Sequence, residues 1–373
     1  MATSDKFLTA EELRRLLEKS HYPPDTRDYN HLTEALLLQQ ENSKTGWLRL
    51  IKNLQIIKNC PRQKVNVNSV EVLTMLNPAR KQSLTSTTFE KNPSPKKCFL
   101  CNLEEEQKGI GILNNKYIIL ANPGVTFRGD LTIASTKHEN QILKGHFKDM
   151  IEIAKLLTNF SIFYNGAMAG ASSTHFHFQG SYKNRLIGEL QILKLLKGGK
   201  INGSYLTALI DTSSLKVLSV ERFLRKTIVI ITHKAESLIS FFEKFYECIA
   251  EVSKDIRNFR HAPDFGSYIK SMGIKETEGR MNIMLRYEPG GEYFICVVFP
   301  KLTNRPTFYF ENDANKIILG FAIKESLGTI ITFRKSDYKK LINNPSLIKK
   351  AYTDTTLPDE LFQRLIEKIK EYK

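Results

Sequence analysis

Short apolar runs and one helical stripe follow each other in the middle of the chain. Tyr117–Ala121 and Leu131–Ala134 are separated by a turn that contains Pro and Gly, so they predict the two strands of a hairpin. Apolar residues at three- and four-residue spacing then predict a helix over Phe147–Phe160. Ser161–Tyr164 predicts a short strand, and Thr174–Phe178, in which histidine and phenylalanine alternate, predicts another on the far side of a loop of small residues. The pattern therefore predicts one unit with the order strand, strand, helix, strand, loop, strand.

A second unit with a similar pattern begins after Gly198-Gly199. Its helix is predicted over Ala235–Glu251, and its strands lie near Thr227–Thr232, Asn282–Tyr287 and Tyr293–Phe299. A Pro-Gly-Gly turn joins the last two of these strands. Because this later hairpin echoes the earlier one, the pattern favours a duplicated sheet unit.

The two ends of the chain are more helical. Thr9 followed by Glu12 is the pattern of a capping box and predicts a helix that runs to about Lys19. Leu32–Gln40 predicts a second helix, and the stretch from Pro358 to about Tyr372 predicts a C-terminal one.

The stretch over residues 61–95 is polar and contains four prolines, which predicts loops and short strands. We therefore predict an α+β protein built from duplicated antiparallel sheet units with flanking helices. A helical and loop extension covers residues 1–95, and the first sheet unit, with the active site, covers 96–199. The second, degenerate unit and the C-terminal helix cover 200–373.

The chain is strongly basic, with a net charge of +16 and a pI of about 9.4 over 373 residues. Such a balance suits anionic partners such as nucleotides or nucleic acid, although a lysine-rich solvated surface would give the same charge. Lysines are spread along the chain rather than gathered in one segment, which disfavours nucleic acid as the main partner.

The residues before Lys19 are polar and helical, so no secretory signal is expected. The sequence has no apolar run long enough to predict a membrane span. The five cysteines are an odd number, and Cys98 and Cys101 form a C-x2-C pair. These features predict a cytoplasmic protein with a metal-binding pair rather than a disulfide framework.

The segment His175-Phe176-His177-Phe178-Gln179 concentrates polar side chains on one face of a predicted strand. Since side chains alternate along a strand, the two histidines and Gln179 point one way, with successive members roughly 7 Å apart. Phe176 and Phe178 point the other way, toward a core. The alternative is a histidine-rich strand that only packs against polar neighbours.

Imidazole is nucleophilic near neutral pH and can attack the α-phosphorus of a nucleotide to form a phosphoramidate. The preceding loop, Asn165 to Ser173, has few large side chains, so its backbone can approach a phosphate closely. Gln179 and Ser172 supply neutral donors for the charge on the phosphoryl oxygens, and Ser173 offers another. His177 is the predicted nucleophile.

Cys98 and Cys101 have the loop spacing that binds zinc through two thiolates, and they need two further ligands. His138 follows the predicted hairpin, and His175 precedes the predicted nucleophile by two residues. The four would complete a closed Cys2His2 site of the structural type. A pair of ordinary buried cysteines is the alternative interpretation.

These residues resemble the galactose-1-phosphate uridylyltransferase branch of the histidine-triad superfamily. That branch includes dinucleoside polyphosphate phosphorylases and GDP-hexose phosphorylases, and the chain is most similar to a bacterial group within the superfamily. The shared pattern is an Asn, a loop of Gly, Ala and Ser, and then His-x-His-x-Gln, here Asn165 to Gln179. The resemblance implies a histidine-triad-like fold with a structural zinc. In the zinc-binding members, a C-x2-C pair, a histidine after a hairpin and the first histidine of the motif share one metal, in the order found here.

By this resemblance His177 is the nucleophile, and Gln179 holds the nucleotidyl phosphate. Ser172 contacts phosphate, Asn165 helps to orient the site, and Asn122 lies in the nucleotide pocket. The chain departs from the transferases at Phe176, where they usually have Pro, which puts a hexose-1-phosphate acceptor in question. The second unit lacks a His-x-His pair, so one active centre per chain is expected.

The resulting hypothesis is an enzyme that moves a nucleoside monophosphate from a nucleotide sugar or dinucleoside polyphosphate to phosphate or a sugar phosphate. Two alternatives remain open at this point. One is a hydrolase of dinucleoside polyphosphates or of capped or adenylated nucleic acid ends, and the other is a non-catalytic binding protein for nucleotides or nucleic acid. The sequence does not determine the oligomeric state; the resemblance allows a homodimer, because many relatives in the superfamily are dimers.

Overall fold

The computed structural model describes residues 4–85, 98–201, 203–258, 278–312 and 314–372. Its α-helices, numbered in chain order, are Ala10–Lys19 (α1), Tyr29–Gln40 (α2), Leu48–Lys58 (α3), Lys81–Thr85 (α4), Phe147–Leu156 (α5), Ile187–Leu196 (α6), Ala235–Lys254 (α7), Ile323–Ser326 (α8), Lys335–Asn343 (α9), Pro345–Thr355 (α10) and Asp359–Lys370 (α11). Among these residues, no helix is long and apolar enough to cross a bilayer.

Within the described residues, the strands form one sheet of ten and one of three. In chain order they are Arg62–Val67 (β1), Val70–Leu76 (β2), Ile110–Ile112 (β3), Tyr117–Ala121 (β4), Leu131–Ser135 (β5), Phe160–Asn165 (β6), His177–Tyr182 (β7), Tyr205–Asp211 (β8), Lys216–Glu221 (β9), Ile228–Thr232 (β10), Met281–Glu288 (β11), Tyr293–Pro300 (β12) and Thr329–Thr332 (β13).

The ten-stranded sheet contains the same strand order twice. Its first half reads β3-β4-β5-β7-β6, and its second half, read from the far edge, reads β8-β9-β10-β12-β11. In each half a long helix, α5 or α7, follows the third strand along the chain. The halves join where β6 pairs with β11 in antiparallel orientation, with Asn165 opposite Asn282. The predicted α+β fold with duplicated antiparallel sheet units is confirmed.

The small sheet joins the N-terminal extension to the C-terminal part of the chain. β1 and β2 form a hairpin, and β13 pairs with β2 in parallel orientation. The extension therefore contributes a strand pair as well as helices and loops. The domain boundaries after residues 95 and 199 stay predictions.

Both faces of the large sheet are covered, which explains why its central strands are uninterrupted apolar runs. On one face, residues of α5 and α7 join Ile119, Phe178 and Ile283 of the sheet in the largest apolar cluster. The opposite face carries Phe163 and Met284 in a second cluster. His177 and Gln179 alternate with Phe178, so they point away from the face that α5 covers.

Several predicted elements are confirmed at the N-terminus. The capping box is present, with the Thr9 hydroxyl accepting the Glu12 amide and the Glu12 carboxylate accepting the Thr9 amide. The second helix begins at Tyr29, three residues before the predicted Leu32, because the Asp28 side chain caps it.

Two predicted boundaries are wrong. The helix after the hairpin ends at Leu156, and Phe160, predicted as its end, begins β6 instead. The last strand begins at His177 rather than at Thr174. The reason is that residues 174–176 bond to the 139–141 loop: the Phe176 amide donates to the Glu139 carbonyl, and the Gln141 amide donates to the Thr174 carbonyl.

Candidate active site and metal centre

His177 lies at the first position of β7 and is 3% exposed. It forms part of the wall of a cavity of about 360 Å³, a size that suits a small ligand. Gln179, Asn165, Ser172 and Asn122 line the same cavity. The structure therefore brings together five of the residues that the sequence selected from three separate segments.

The hydrogen bond of the His177 ring determines which nitrogen faces a ligand. Its Nδ1 lies 2.9 Å from the backbone carbonyl of His175, and because a carbonyl can only accept, Nδ1 carries the proton. The lone pair is then on Nε2. Burial lowers the pKa of His177, so the ring is neutral at pH 7. A neutral imidazole with a free Nε2 lone pair is the form that can act as a nucleophile.

Gln141 holds His177 in place and was not identified from the sequence. Its Oε1 accepts the His177 amide at 2.8 Å, and its Nε2 donates to the carbonyls of His177 at 3.0 Å and Asn165 at 2.9 Å. This fully buried amide thus ties the start of β7 to the end of β6. No motif marks it, because its partners are backbone groups of other segments.

Gln179 is held by Asn165, whose Nδ2 donates to Gln179 Oε1 at 3.2 Å. With Oε1 engaged, the Nε2 group is the part of Gln179 that can donate to a ligand in the cavity. Ser173, also predicted to contact phosphate, is buried, and its hydroxyl accepts the His175 amide at 3.1 Å. Ser173 thus shapes the turn before His177, and the roles of these residues toward a ligand stay predictions.

Gly170, in the loop between β6 and β7, satisfies two requirements at once. Its φ of 104° is in the left-handed region, which disfavours any residue with a Cβ. A Cβ built there would also lie 3.0 Å from Cα and Cβ of Ala322. The loop can therefore approach residues 321–323 closely only with glycine at this position.

The remaining cavity wall comes from segments that sequence reasoning missed. Among the described residues it carries four cations and two acids, namely Arg49, Arg80, Arg305 and Lys324 against Glu104 and Glu325. Arg49 is paired with Glu104, and Lys324 is paired with the buried Asp130. Burial raises the pKa of Glu325 and lowers the pKa of Arg305 and Lys324, so it disfavours the charged form of both signs. With Asp130 counted as the partner of Lys324, the wall keeps a small positive balance that suits phosphate groups. No local signal marks these residues, because they are distant in sequence from the histidine motif.

The four predicted metal ligands form one cluster. The ligand atoms of Cys98, Cys101, His138 and His175 all lie within 4.8 Å of one another. His138 Nδ1 is 3.1 Å from Cys101 Sγ, and His175 Nδ1 is 3.3 Å from Cys101 Sγ and 3.4 Å from Cys98 Sγ. A tetrahedral zinc site has sulfur-to-nitrogen edges of about 3.5 Å, so the spacing fits a zinc ion.

The second nitrogen of His175 also fits a metal ligand. Its Nε2 donates to the carbonyl of Ser135 at 2.8 Å, which leaves the Nδ1 lone pair directed at the thiols. Burial lowers the pKa of His175 to about 4, so the ring is neutral at pH 7, as ligation requires. The backbone carbonyl of this same residue holds His177 Nδ1, which connects the cluster to the candidate nucleophile.

Glu278 supports the loop that carries Gln141. Its carboxyl group accepts the Leu143 amide and the Tyr164 hydroxyl, each at 2.8 Å. Burial raises its pKa from an ordinary 4.5 to about 8. Since the folded-state pKa is the higher one, Glu278 stabilises the fold most below pH 4.5, and this contribution is lost as the pH rises through 8.

We therefore expect Glu278→Gln to become more stable relative to the unchanged protein as the pH rises from about 5 to 8. Over this pH range the difference in unfolding free energy between the two proteins should change by about a few kcal/mol, because a pKa difference of one corresponds to about 1.4 kcal/mol. Urea denaturation of both proteins across this pH range measures it. Parallel pH profiles would show that Glu278 is ionised in the folded protein.

Comparisons with known proteins agree with this architecture. The domain family described as DUF4922, of unknown function, matches residues 37–182, a range that contains the four clustered ligands, His177 and Gln179. No curated protein matches the chain significantly.

Solved structures of a yeast phosphorylase share the fold. The yeast Ap4A phosphorylase Apa2 in complex with AMP has a TM-score of 0.51 and 13% identity, covering 83% of this chain and 95% of that one. A second crystal structure of yeast Ap4A phosphorylase Apa2 has a TM-score of 0.50 and 14% identity, covering 83% of this chain and 96% of that one. The chain has the fold of this phosphorylase.

Proposed function

We propose that the protein transfers a nucleoside monophosphate through a covalent nucleotidyl-His177 intermediate. One observation carries the proposal: a buried, neutral imidazole presents its Nε2 lone pair at a cavity where an amide donor and a glycine-containing loop meet. An imidazole in this state needs no further activation to attack phosphorus.

In the first step, His177 Nε2 attacks the α-phosphorus of the donor. A P–N bond forms, and the P–O bond to the leaving phosphate breaks, with the electron pair going to the leaving oxygen. In the second step an acceptor oxygen attacks the same phosphorus, the P–N bond breaks, and the imidazole recovers its Nε2 lone pair. His177 Nδ1 keeps its proton throughout, and its positive charge in the intermediate is stabilised by the His175 carbonyl.

The donor is a dinucleoside polyphosphate or a nucleotide sugar, and the acceptor is phosphate or a sugar phosphate. The positive balance of the cavity wall supports a donor with several phosphates. The yeast enzyme with the same fold is an Ap4A phosphorylase and was crystallised with AMP, which supports the nucleoside monophosphate as the transferred group.

Zinc, held by Cys98, Cys101, His138 and His175, is proposed as a structural cofactor. The bound ion would supply no step of the reaction; it would hold together the segments that place His177. The fit of the ligand spacing and the fixed ring orientation of His175 support this assignment.

Incubation with a panel of dinucleoside polyphosphates and nucleotide sugars, followed by intact-protein mass spectrometry, tests the proposal. A mass gain of one nucleoside monophosphate per chain is expected, and its size identifies the base. Release of the group as a nucleoside diphosphate only when inorganic phosphate is added identifies a phosphorylase. Turnover at an equal rate without phosphate identifies a hydrolase, and the absence of any adduct or product contradicts the proposal.

Gln179 offers a test of the phosphate contact. Gln179→Glu should reduce kcat more than Gln179→Ala, by about tenfold or more, because a carboxylate replaces a donor with an acceptor and repels the phosphoryl oxygens. Steady-state rates of the two variants with the same donor measure the difference. Equal rates would mean that Gln179 does not face the phosphate.

A further inference from the structure

The second unit of the sheet contributes a buried side chain to the site. Asn282, near the start of β11, is 0% exposed and lies opposite Asn165 in the register between β6 and β11. Its Nδ2 donates to Asn165 Oδ1 at 2.9 Å and to the carbonyl of Ala169 at 2.7 Å. Its Oδ1 accepts the hydroxyl of Ser326 at 3.1 Å. Asn282 is thus bonded both to a cavity residue and to the loop before His177.

These hydrogen bonds form a connected series that ends at Gln179. Ser326 donates to Asn282, Asn282 donates to Asn165, and Asn165 donates to Gln179 Oε1. Each amide accepts with its oxygen and donates with its nitrogen. The hydrogen-bond series therefore runs in one direction, with each residue donating to the next. At its end, the Nε2 group of Gln179 is left to donate into the cavity.

Backbone groups fix the direction of this hydrogen-bond series. The Ile323 amide donates to Asn165 Oδ1 at 2.8 Å, so that atom must be the oxygen. The Ala169 carbonyl accepts from Asn282 Nδ2, so that atom must be the nitrogen. Rotating either amide by 180° would place two donors or two acceptors against each other inside a buried site, which costs free energy.

We infer that Asn282 is a positioning residue that orients the Gln179 amide, so that its NH2 group and not its oxygen faces the reacting phosphate. The inference rests on the proposed function for its effect on catalysis. The second unit lacks a His-x-His pair, but on this inference it still contributes to the site. Its contribution is the polar end of β11, the strand that pairs with β6.

Two substitutions of Asn282 separate the effect of its NH2 group from the effect of its size. Asn282→Ala removes one anchor but leaves the Ile323 amide, and it should reduce kcat about tenfold with little change in KM. Asn282→Asp keeps the size and still accepts from Ser326, but it sets a carboxylate against Asn165 Oδ1. Asn165 then loses its bond to residue 282, and it can relieve the repulsion only by breaking its bond from the Ile323 amide or by moving away from Gln179. Both changes misdirect Gln179 Nε2, so kcat should fall about a hundredfold.

A double-mutant cycle separates positioning from general damage to the fold. In a Gln179→Ala background, Asn282→Ala should change kcat less than twofold, because the group that it orients is gone. Asn30→Ala is the matched control: Asn30 is also buried and joins two segments, through Thr158 and the Asn159 amide, outside the cavity wall. Its kcat should be the same as that of the unchanged protein. Equal loss from Asn282→Ala in both backgrounds would overturn the inference.

An NMR measurement tests the orientation without catalysis. With 15N-labelled glutamine, the side-chain amide signal of Gln179 is identified by its absence in Gln179→Ala. This signal should shift in Asn282→Asp and stay in place in Asn30→Ala. An unmoved Gln179 signal in Asn282→Asp overturns the inference even if the unchanged protein forms no adduct. A moved signal together with the absence of any adduct would instead contradict the proposed function alone.

Discussion

Replacing His177 by Ala should abolish the nucleotidyl adduct and reduce kcat by several orders of magnitude. A two-step path has no substitute for its nucleophile, so the loss is the full advantage of covalent catalysis rather than a fraction of it. The fold should persist, because Gln141 bonds to the backbone of His177 and not to its ring. Intact-protein mass spectrometry after incubation with the donor, together with initial rates, measures the effect.

His146→Gln is the control for this prediction. It also removes a buried imidazole, but His146 stacks on Phe176 and bonds to Tyr117, on the face that carries α5. The control should form the adduct at close to the normal rate. If His177→Ala turned over near the rate of the unchanged protein, the proposed mechanism would be wrong.

Purified protein should contain about one zinc per chain, and Cys98→Ser or His138→Ala should lose it. We expect the melting temperature to fall by roughly 5–15 °C, because a structural metal contributes directly to the free energy of folding. Activity should fall as well, since the His175 carbonyl that holds His177 Nδ1 belongs to a metal ligand. Elemental analysis and thermal melting, with and without chelator, measure these effects.

Cys60→Ser is the matched control for the metal, because it makes the same chemical change at a cysteine outside the cluster. It should keep its zinc and melt within a few degrees of the unchanged protein. The zinc proposal would be wrong if the unchanged protein were purified without metal and the Cys98→Ser variant had an unchanged melting temperature. The assignment of His177 would stand, because it depends on the ring geometry and the cavity.

The sequence determined the local features of the site. The alternation His177, Phe178, Gln179 needs only the two-residue period of a strand to place both polar side chains opposite a core residue. The C-x2-C pair and the hairpin before His138 are likewise short-range patterns, and the structure brings their side chains together with His175. Such features could be predicted because their spacing is set by the chain itself.

The conformation around His175 shows where a local pattern fails. The prediction placed His175 within the strand, in phase with His177, but His175 makes only an isolated bridge to Asn140. Its ring turns to the thiols, and its carbonyl turns to His177. Propensity could not reveal this, because it depends on the 139–141 loop taking up the backbone groups of the segment.

Only the tertiary structure decided which distant groups complete the site. Gln141, Asn282 and Lys324 carry no motif, and each acts through partners that are far away along the chain. Gln141 acts on the ends of β6 and β7, and Asn282 acts through the pairing of β6 with β11. Lys324 is held in the cavity wall by its ion pair with Asp130. The physical reason is that an amide or ammonium group takes its function from the acceptor it meets, and a sequence specifies the group but not the long-range packing that selects its partner.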